Sequence, residues 1–318
     1  MKFVYAAIFS FAAIAAAPVL TATNAFAEVP QNRVIGAYMN SLFDHSRPWG
    51  SVPPWLQRMT QAKGGQSVAV QGSYGIQQPL APDWDQNWMA HGVRSSGAAN
   101  SWRGVDAANI TDIIILTDNF SGPPVYASQG SNPDPSAGGQ IPRPPAEGKA
   151  LYWGDELTEL VTAHETNVTD KPNYWIYEVW ADGGKILKES NGAGSPRKFA
   201  AWRERTTTQY AYSKWFDNLL SQTKANVPGA ASRIKMIPVA RTMVSVMENT
   251  PASAITADEW FEDDAPHGSH TLYLLAAMIV YSALYQEPAP MPDFSGSDVN
   301  DTFKSNYNVI ADHIYNSL

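Results

Sequence analysis

The apolar positions of this chain gather into short β-branched runs, separated by stretches whose apolar residues recur at helical spacing. Arg33-Val34-Ile35-Gly36-Ala37-Tyr38-Met39 has the density of a short buried strand, and Asn40-Ser41 interrupts it. Ser67-Val68-Ala69-Val70 predicts a second strand, giving way to the turn-rich Gln71-Gly72-Ser73-Tyr74-Gly75. Residues 112–117, with three consecutive isoleucines, form the clearest strand. A run without polar alternation suits a parallel sheet covered on both faces. Residues 174–179 and 234–239 predict a fourth and a fifth strand.

Between the strands lie helical patterns. Residues 55–62 follow Pro53-Pro54 and stop before Gly64-Gly65, so proline opens this helix and glycine closes it. Residues 155–164 and 198–220 carry apolar positions at helical spacing. Residues 272–285 are apolar on nearly every face, which marks a buried helix, whereas 299–318 are amphipathic. Strands alternating with helices imply an α/β protein: a three-layer α/β/α sandwich around a central parallel sheet of about five strands. Residues 121–148 stand apart, rich in Pro, Gly and Ser, with seven prolines and no periodicity. The runs on either side look like parts of one sheet. The segment is therefore expected to be a long loop within a single domain spanning 28–318 rather than a linker, and loops of that length tend to carry function.

The first 27 residues look like a signal peptide. Met1-Lys2 gives a positive start, residues 3–20 are almost wholly apolar, and Ala25-Phe26-Ala27 fits small-x-small cleavage before Glu28. The rival reading is an uncleaved anchor, since the apolar run is nearly long enough to span a bilayer. Cleavage leaves a chain expected to be periplasmic or secreted, with no membrane attachment. There is no cysteine, which excludes a thiol nucleophile, Cys-ligated zinc and disulfides, so stability must come from the core. The formal net charge is −8 with no Lys/Arg cluster, which argues against a nucleic-acid partner. Eleven Trp and 14 Tyr allow some aromatic rings to line a ligand site.

In an open α/β sheet, ligands bind beyond the carboxyl ends of the strands. This selects Asn40-Ser41 after the first strand, Gly72 to Gly75 after the second, and Asp118-Asn119 after the third. A serine nucleophile needs a base, and the chain has six histidines. His267 alone has a companion carboxylate pattern, in Asp263-Asp264-Ala265-Pro266-His267-Gly268-Ser269-His270. An Asp three residues before a His in a turn can accept the imidazole Nδ1–H, fixing the tautomer in which Nε2 takes the serine proton. The bland alternative is an acidic turn at a helix start, with His267 merely exposed. His267 and His270 near Asp263 and Asp264 could also be imagined as a metal site, but helical His-Glu-x-x-His spacing is missing and no metal is expected. Asp44 and His45 beside Ser41 are read as loop residues or substrate contacts, because residues three and four apart in a turn seldom present side chains to one point.

The order of these elements resembles the SGNH (GDSL-like) hydrolase superfamily, whose nucleophile follows the first strand and whose D-x-x-H pair comes last. Asn40-Ser41-Leu42 looks like the end of the first block, Gly75 like the second-block glycine, Thr117-Asp118-Asn119 like the third block and Asp264-Ala265-Pro266-His267 like the fifth. The likeness covers roughly residues 33–285 and implies an SGNH/flavodoxin-like fold. It also implies a Ser41–His267–Asp264 triad, an oxyanion hole made by the N–H groups of Ser41 and Gly75 with the Asn119 amide, and no cofactor. Two positions depart from the pattern: Met39 stands where the first block has glycine, and the third block lacks its glycine.

Trp84 and Trp88, within Asp83-Trp84-Asp85-Gln86-Asn87-Trp88, place aromatic rings among groups that hydrogen-bond hydroxyls, so an O-acetylated glycan is the preferred substrate. Packing of those rings onto the domain is the competing reading. Glu178, at the end of the fourth strand, is a third candidate for substrate binding, with a salt bridge as its alternative. Two functions follow: an exported carbohydrate or acyl esterase, or a non-catalytic glycan-binding protein on the same fold. A working site requires His267 Nε2 near Ser41 Oγ, with Asn119 and Gly75 facing the same point.

Overall fold

A computed structural model of the protein describes residues 30–39, 41–45, 50–74, 110–116, 153–167, 171–181, 196–208, 212–262 and 267–318. Five strands, β1 (Asn32–Met39), β2 (Ser67–Tyr74), β3 (Asp112–Leu116), β4 (Asn173–Tyr177) and β5 (Ile234–Ile237), form one all-parallel sheet in the order β2-β1-β3-β4-β5. The helices are α1 (Val52–Lys63), α2 (Trp153–Asn167), α3 (Pro196–Thr207), α4 (Tyr212–Asn226), α5 (Val239–Asn249), α6 (Ala257–Trp260), α7 (His270–Tyr285), α8 (Asp301–Ser305) and α9 (Tyr307–Ser317).

The parity of β1 shows the three layers. Successive strand side chains point to opposite faces. Arg33 reaches the Leu284 carbonyl at the end of α7, whereas the Tyr38 hydroxyl meets His164 Nε2 of α2 at 3.1 Å on the other face. Helix α7 packs against α1, α5 and α9, and α2 packs against α4. The sandwich anticipated from the alternation of strands and helices is the one observed. β3 and β4 are direct neighbours, Asp112 opposite Asn173 and Leu116 opposite Tyr177, so the strands flanking residues 121–148 belong to one sheet. Residues 1–27, expected to be a signal peptide, and residues 121–148 lie outside the described residues.

Several boundaries differ from those expected. β2 does not turn at Gln71 but pairs with β1 as far as Tyr74, opposite Met39. Eight residues of parallel pairing outweigh the local turn preference of Gly72-Ser73. The pattern at 198–220 is two helices, α3 and α4, and 299–318 divides at Asn306 into α8 and α9. Helix α5 was not anticipated, because Val239 was counted with the strand. Pro238 ends β5, and the apolar residues Val239, Ala240, Met243, Val244, Val246 and Met247 then follow helical spacing into the core.

Helix α7 is buried along nearly all its length, as its uniformly apolar sequence requires, and no helix among the described residues is long and apolar enough to cross a membrane. Beneath the opposite face of the sheet, burial pushes the His164 imidazole down to about 3. The neutral ring is therefore the folded form, while the unfolded ring titrates near 6.5. The unfolded state binds the proton first, so this contribution is complete above about pH 6.5 and is lost as pH falls towards 3. At pH 5 the loss is about 2 kcal/mol, at about 1.4 kcal/mol per pH unit. Urea unfolding at several pH values should show native stability falling by that amount relative to His164→Gln between pH 8 and 5. A pH-independent difference would contradict it. Comparing the two proteins at each pH cancels every other titrating group.

Candidate active site

Ser41 lies two residues beyond the carboxyl end of β1, the strand with β2 on one side and β3 on the other. That is the topological switch point of this strand order, where the connections diverge and leave a crevice. The turn that carries Ser41 is pinned from both sides. Leu42 and Phe43 are fully buried, and Phe43 packs edge-on against Tyr177 of β4 at 5.8 Å. Val52 N–H donates to the Phe43 carbonyl at 2.8 Å, His45 N–H to the Gly50 carbonyl at 3.1 Å, and the Ser51 hydroxyl to Asp44 Oδ1 at 2.6 Å. From below, the Tyr273 hydroxyl of α7 donates to the Ser41 carbonyl at 2.6 Å.

His267 sits on a loop mounted at the start of α7. Glu262 N–H donates to the His267 carbonyl at 2.9 Å, Ser269 N–H donates to the Trp260 carbonyl at 2.8 Å, and Phe261 pairs with Gly268 as an antiparallel bridge. Phe261 is buried and packs edge-on against Trp202 of α3, with centroids 4.9 Å apart, so the base of the loop is set in an aromatic cluster. Gly268 makes the approach to α7 possible, because a Cβ there would lie 2.7 Å from Leu272 Cβ and 2.8 Å from its Cδ2. Leu272 is itself fully buried and has nowhere to retreat. Gly268→Ala should therefore lower stability by about 1–3 kcal/mol, as overpacking does. It should also displace His267 from Ser41. Urea unfolding checks the stability loss; unchanged stability would mean the loop absorbs the methyl without moving.

His267 Nε2 stands 3.0 Å from Ser41 Oγ, although 226 positions separate the two residues. This is the distance required of a nucleophile and its general base. Both residues are half-buried. Met39 does not prevent the contact: it is buried in the core as the last residue of β1. Gly72, expected in the turn after the second strand, is instead inside β2 opposite Ala37. Gly75, with Asn119, Asp264, Trp84 and Trp88, falls outside the described residues.

The remaining candidates are placed clearly. Glu178 is fully buried, and Arg241 Nε meets both carboxylate oxygens at 3.0 Å, while the Arg241 guanidinium also bonds Asp217 at 2.9 Å. Burial, only partly offset by Arg241, raises the Glu178 carboxyl to about 7. The salt-bridge alternative describes this residue, and no face of it is open to a substrate. His270 is engaged with the chain after α7, its Nδ1 accepting from Asp298 N–H at 2.9 Å. Among the described residues, no group of three or more His, Asp or Glu side chains could hold a metal ion.

Two residues of the site were not legible as such. Tyr273 is one of five hydroxyl-bearing residues in an otherwise apolar helix, with no local pattern to single it out. His45 is read from the sequence as a loop residue or substrate contact, not a member of a local triad, and its ring reaches His267 instead. The two imidazoles are stacked, 3.8 Å between centroids and 19° between planes. A second Ser–His contact, Ser245 Oγ to His313 Nε2 at 2.9 Å, joins α5 to α9. There the serine is inside a helix, whose amide groups are committed to the helical ladder and leave no donor for an oxyanion. No family model matches this chain, and comparison with curated proteins and solved structures gives no significant match.

Proposed function

We propose that the protein is an exported serine esterase that hydrolyses an acyl ester, preferably an acetyl ester on a carbohydrate. The observation that carries this reading is the 3.0 Å approach of His267 Nε2 to Ser41 Oγ at the switch point of the sheet. His267 takes the proton from Ser41 as the oxygen attacks the ester carbonyl, and a tetrahedral intermediate forms with its charge on the former carbonyl oxygen. The N–H groups of Ser41 and Gly75 and the Asn119 amide are the proposed donors to that oxygen, each typically contributing two to three orders of magnitude in rate. His267 returns the proton to the leaving alcohol, and water activated by the same imidazole releases the acid from the acyl-enzyme. Asp264, three residues before His267, is the proposed partner of the imidazole Nδ1–H. Trp84 and Trp88 are the proposed platform for a sugar ring.

The test is acetate release from acetylated xylan, beside p-nitrophenyl acetate as a small ester, by the purified protein and by Ser41→Ala. Ser41-dependent release from both supports the carbohydrate esterase. Release from the small ester alone keeps the serine mechanism and removes the glycan. No Ser41-dependent release from either overturns the enzyme, and binding of the glycan without hydrolysis then identifies the non-catalytic alternative.

A further inference from the structure

We infer that His45 is a positioning residue that holds the plane of the base His267, a role that rests on the esterase reading of the site. A histidine base works only while Nε2 points at the nucleophile, and an imidazole on a loop has two side-chain torsions by which to turn away. Hydrogen bonds at the ring nitrogens lie within the ring plane and oppose out-of-plane swinging only as they bend, so contact on the ring face is the stiffer restraint. The face of His267 is where that motion has to be stopped, and the His45 ring lies against this face, 3.8 Å away and within 19° of parallel.

His45 is itself fixed. Its N–H donates to the Gly50 carbonyl at 3.1 Å, and the preceding Asp44 pairs with Ser51 through a backbone bridge and a 2.6 Å side-chain bond. The turn that delivers Ser41 thus also supplies the wall for its base. Nucleophile and stacking ring are four residues apart on one pinned segment, so the distance between them does not depend on the loop that carries His267. The Tyr273 hydroxyl on the Ser41 carbonyl locks the same segment to α7, the helix from which the His267 loop departs.

This geometry separates a wall from a substrate contact. A wall requires a flat ring, with or without a titrating nitrogen; a substrate contact requires the imidazole or its charge. His45→Ala should therefore lower kcat by roughly 10- to 100-fold, the size of effect expected when a catalytic group is misplaced by about 1 Å, with KM changed less than about threefold. His45→Phe, which restores a ring of similar thickness, should recover kcat to within about threefold of the unsubstituted protein. The His267 ring protons, followed by NMR in the full protein, should lose the upfield ring-current shift in His45→Ala and keep it in His45→Phe.

Unchanged kcat in His45→Ala would overturn the inference, as would a rise in KM alone or a His45→Phe protein no better than His45→Ala. An NMR spectrum in which His267 is indifferent to His45→Ala overturns it independently of any turnover. If the unsubstituted protein shows no Ser41-dependent turnover while the ring-current shift is present, the esterase reading fails although the stack is real, so the two failures are distinguishable.

Discussion

Ser41→Ala and His267→Ala are each expected to lower kcat on p-nitrophenyl acetate by about 10⁴- to 10⁶-fold, leaving KM and thermal stability nearly unchanged. The magnitude follows from the way a nucleophile and its base act as a unit. Without the hydroxyl there is no acyl-enzyme, and without the imidazole the hydroxyl keeps its proton, so either loss leaves only what binding and oxyanion donors provide. The double substitution is accordingly expected to be no slower than either single one. Effects that multiply instead would mean that the two side chains act independently despite their 3.0 Å contact. Initial rates for the three variants decide this, with the thermal midpoint of each as the control for folding. The control has a structural basis, since the segment bearing Ser41 is held by Leu42, Phe43 and the Tyr273 bond to the Ser41 carbonyl, none of which uses the hydroxyl.

The second large effect lies at the opposite end of the sheet and concerns stability. Arg33 of β1 and Asp112 of β3 form an ion pair at 2.6 Å, with side chains 3% and 0% exposed. Asp112 also accepts from Trp175 Nε1 of β4 at 2.8 Å and from the Thr111 hydroxyl at 2.7 Å, while Arg33 bonds the Leu284 carbonyl and lies over the Tyr285 ring at the end of α7. The pair joins three strands and the central helix at one point. Asp112→Ala leaves a guanidinium buried without its counter-charge and should cost about 3–5 kcal/mol. For a domain of this size that is a drop of roughly 10 °C in the thermal midpoint. Replacing both members by apolar residues, as in Arg33→Met with Asp112→Leu, should recover most of the loss, because no charge is then left buried. Thermal unfolding of the single and double variants tests the pair; a double variant no better than Asp112→Ala would show that the network of neutral bonds, rather than the lone charge, carries the energy.

The fold was legible because its determinants are local and repeated. β-branched runs such as Ile113-Ile114-Ile115 and the uniformly apolar α7 are properties of single segments, and the strand-helix alternation left few ways to arrange them. Element ends were less legible. β2 runs through Gly72-Ser73 because β1 lies beside it, which no propensity of those residues records. The pairing of Ser41 with His267 was legible, since strand ends select Ser41, a D-x-x-H turn selects His267, and the two side chains meet at 3.0 Å. Its supports were hidden. His45, Tyr273 and the Gly268 contact with Leu272 act through approaches made only when distant segments meet, and so does the Glu178–Arg241 pair that occupies a residue otherwise suited to the rim.

The most direct test of the central claim is covalent: incubation of the purified protein with a fluorophosphonate, followed by intact-mass and peptide mass spectrometry. The account predicts one adduct per chain, located on Ser41, absent in Ser41→Ala and slowed at least a hundredfold in His267→Ala. Phosphonylation at another serine, Ser245 beside His313 included, or no adduct at any serine, would contradict it.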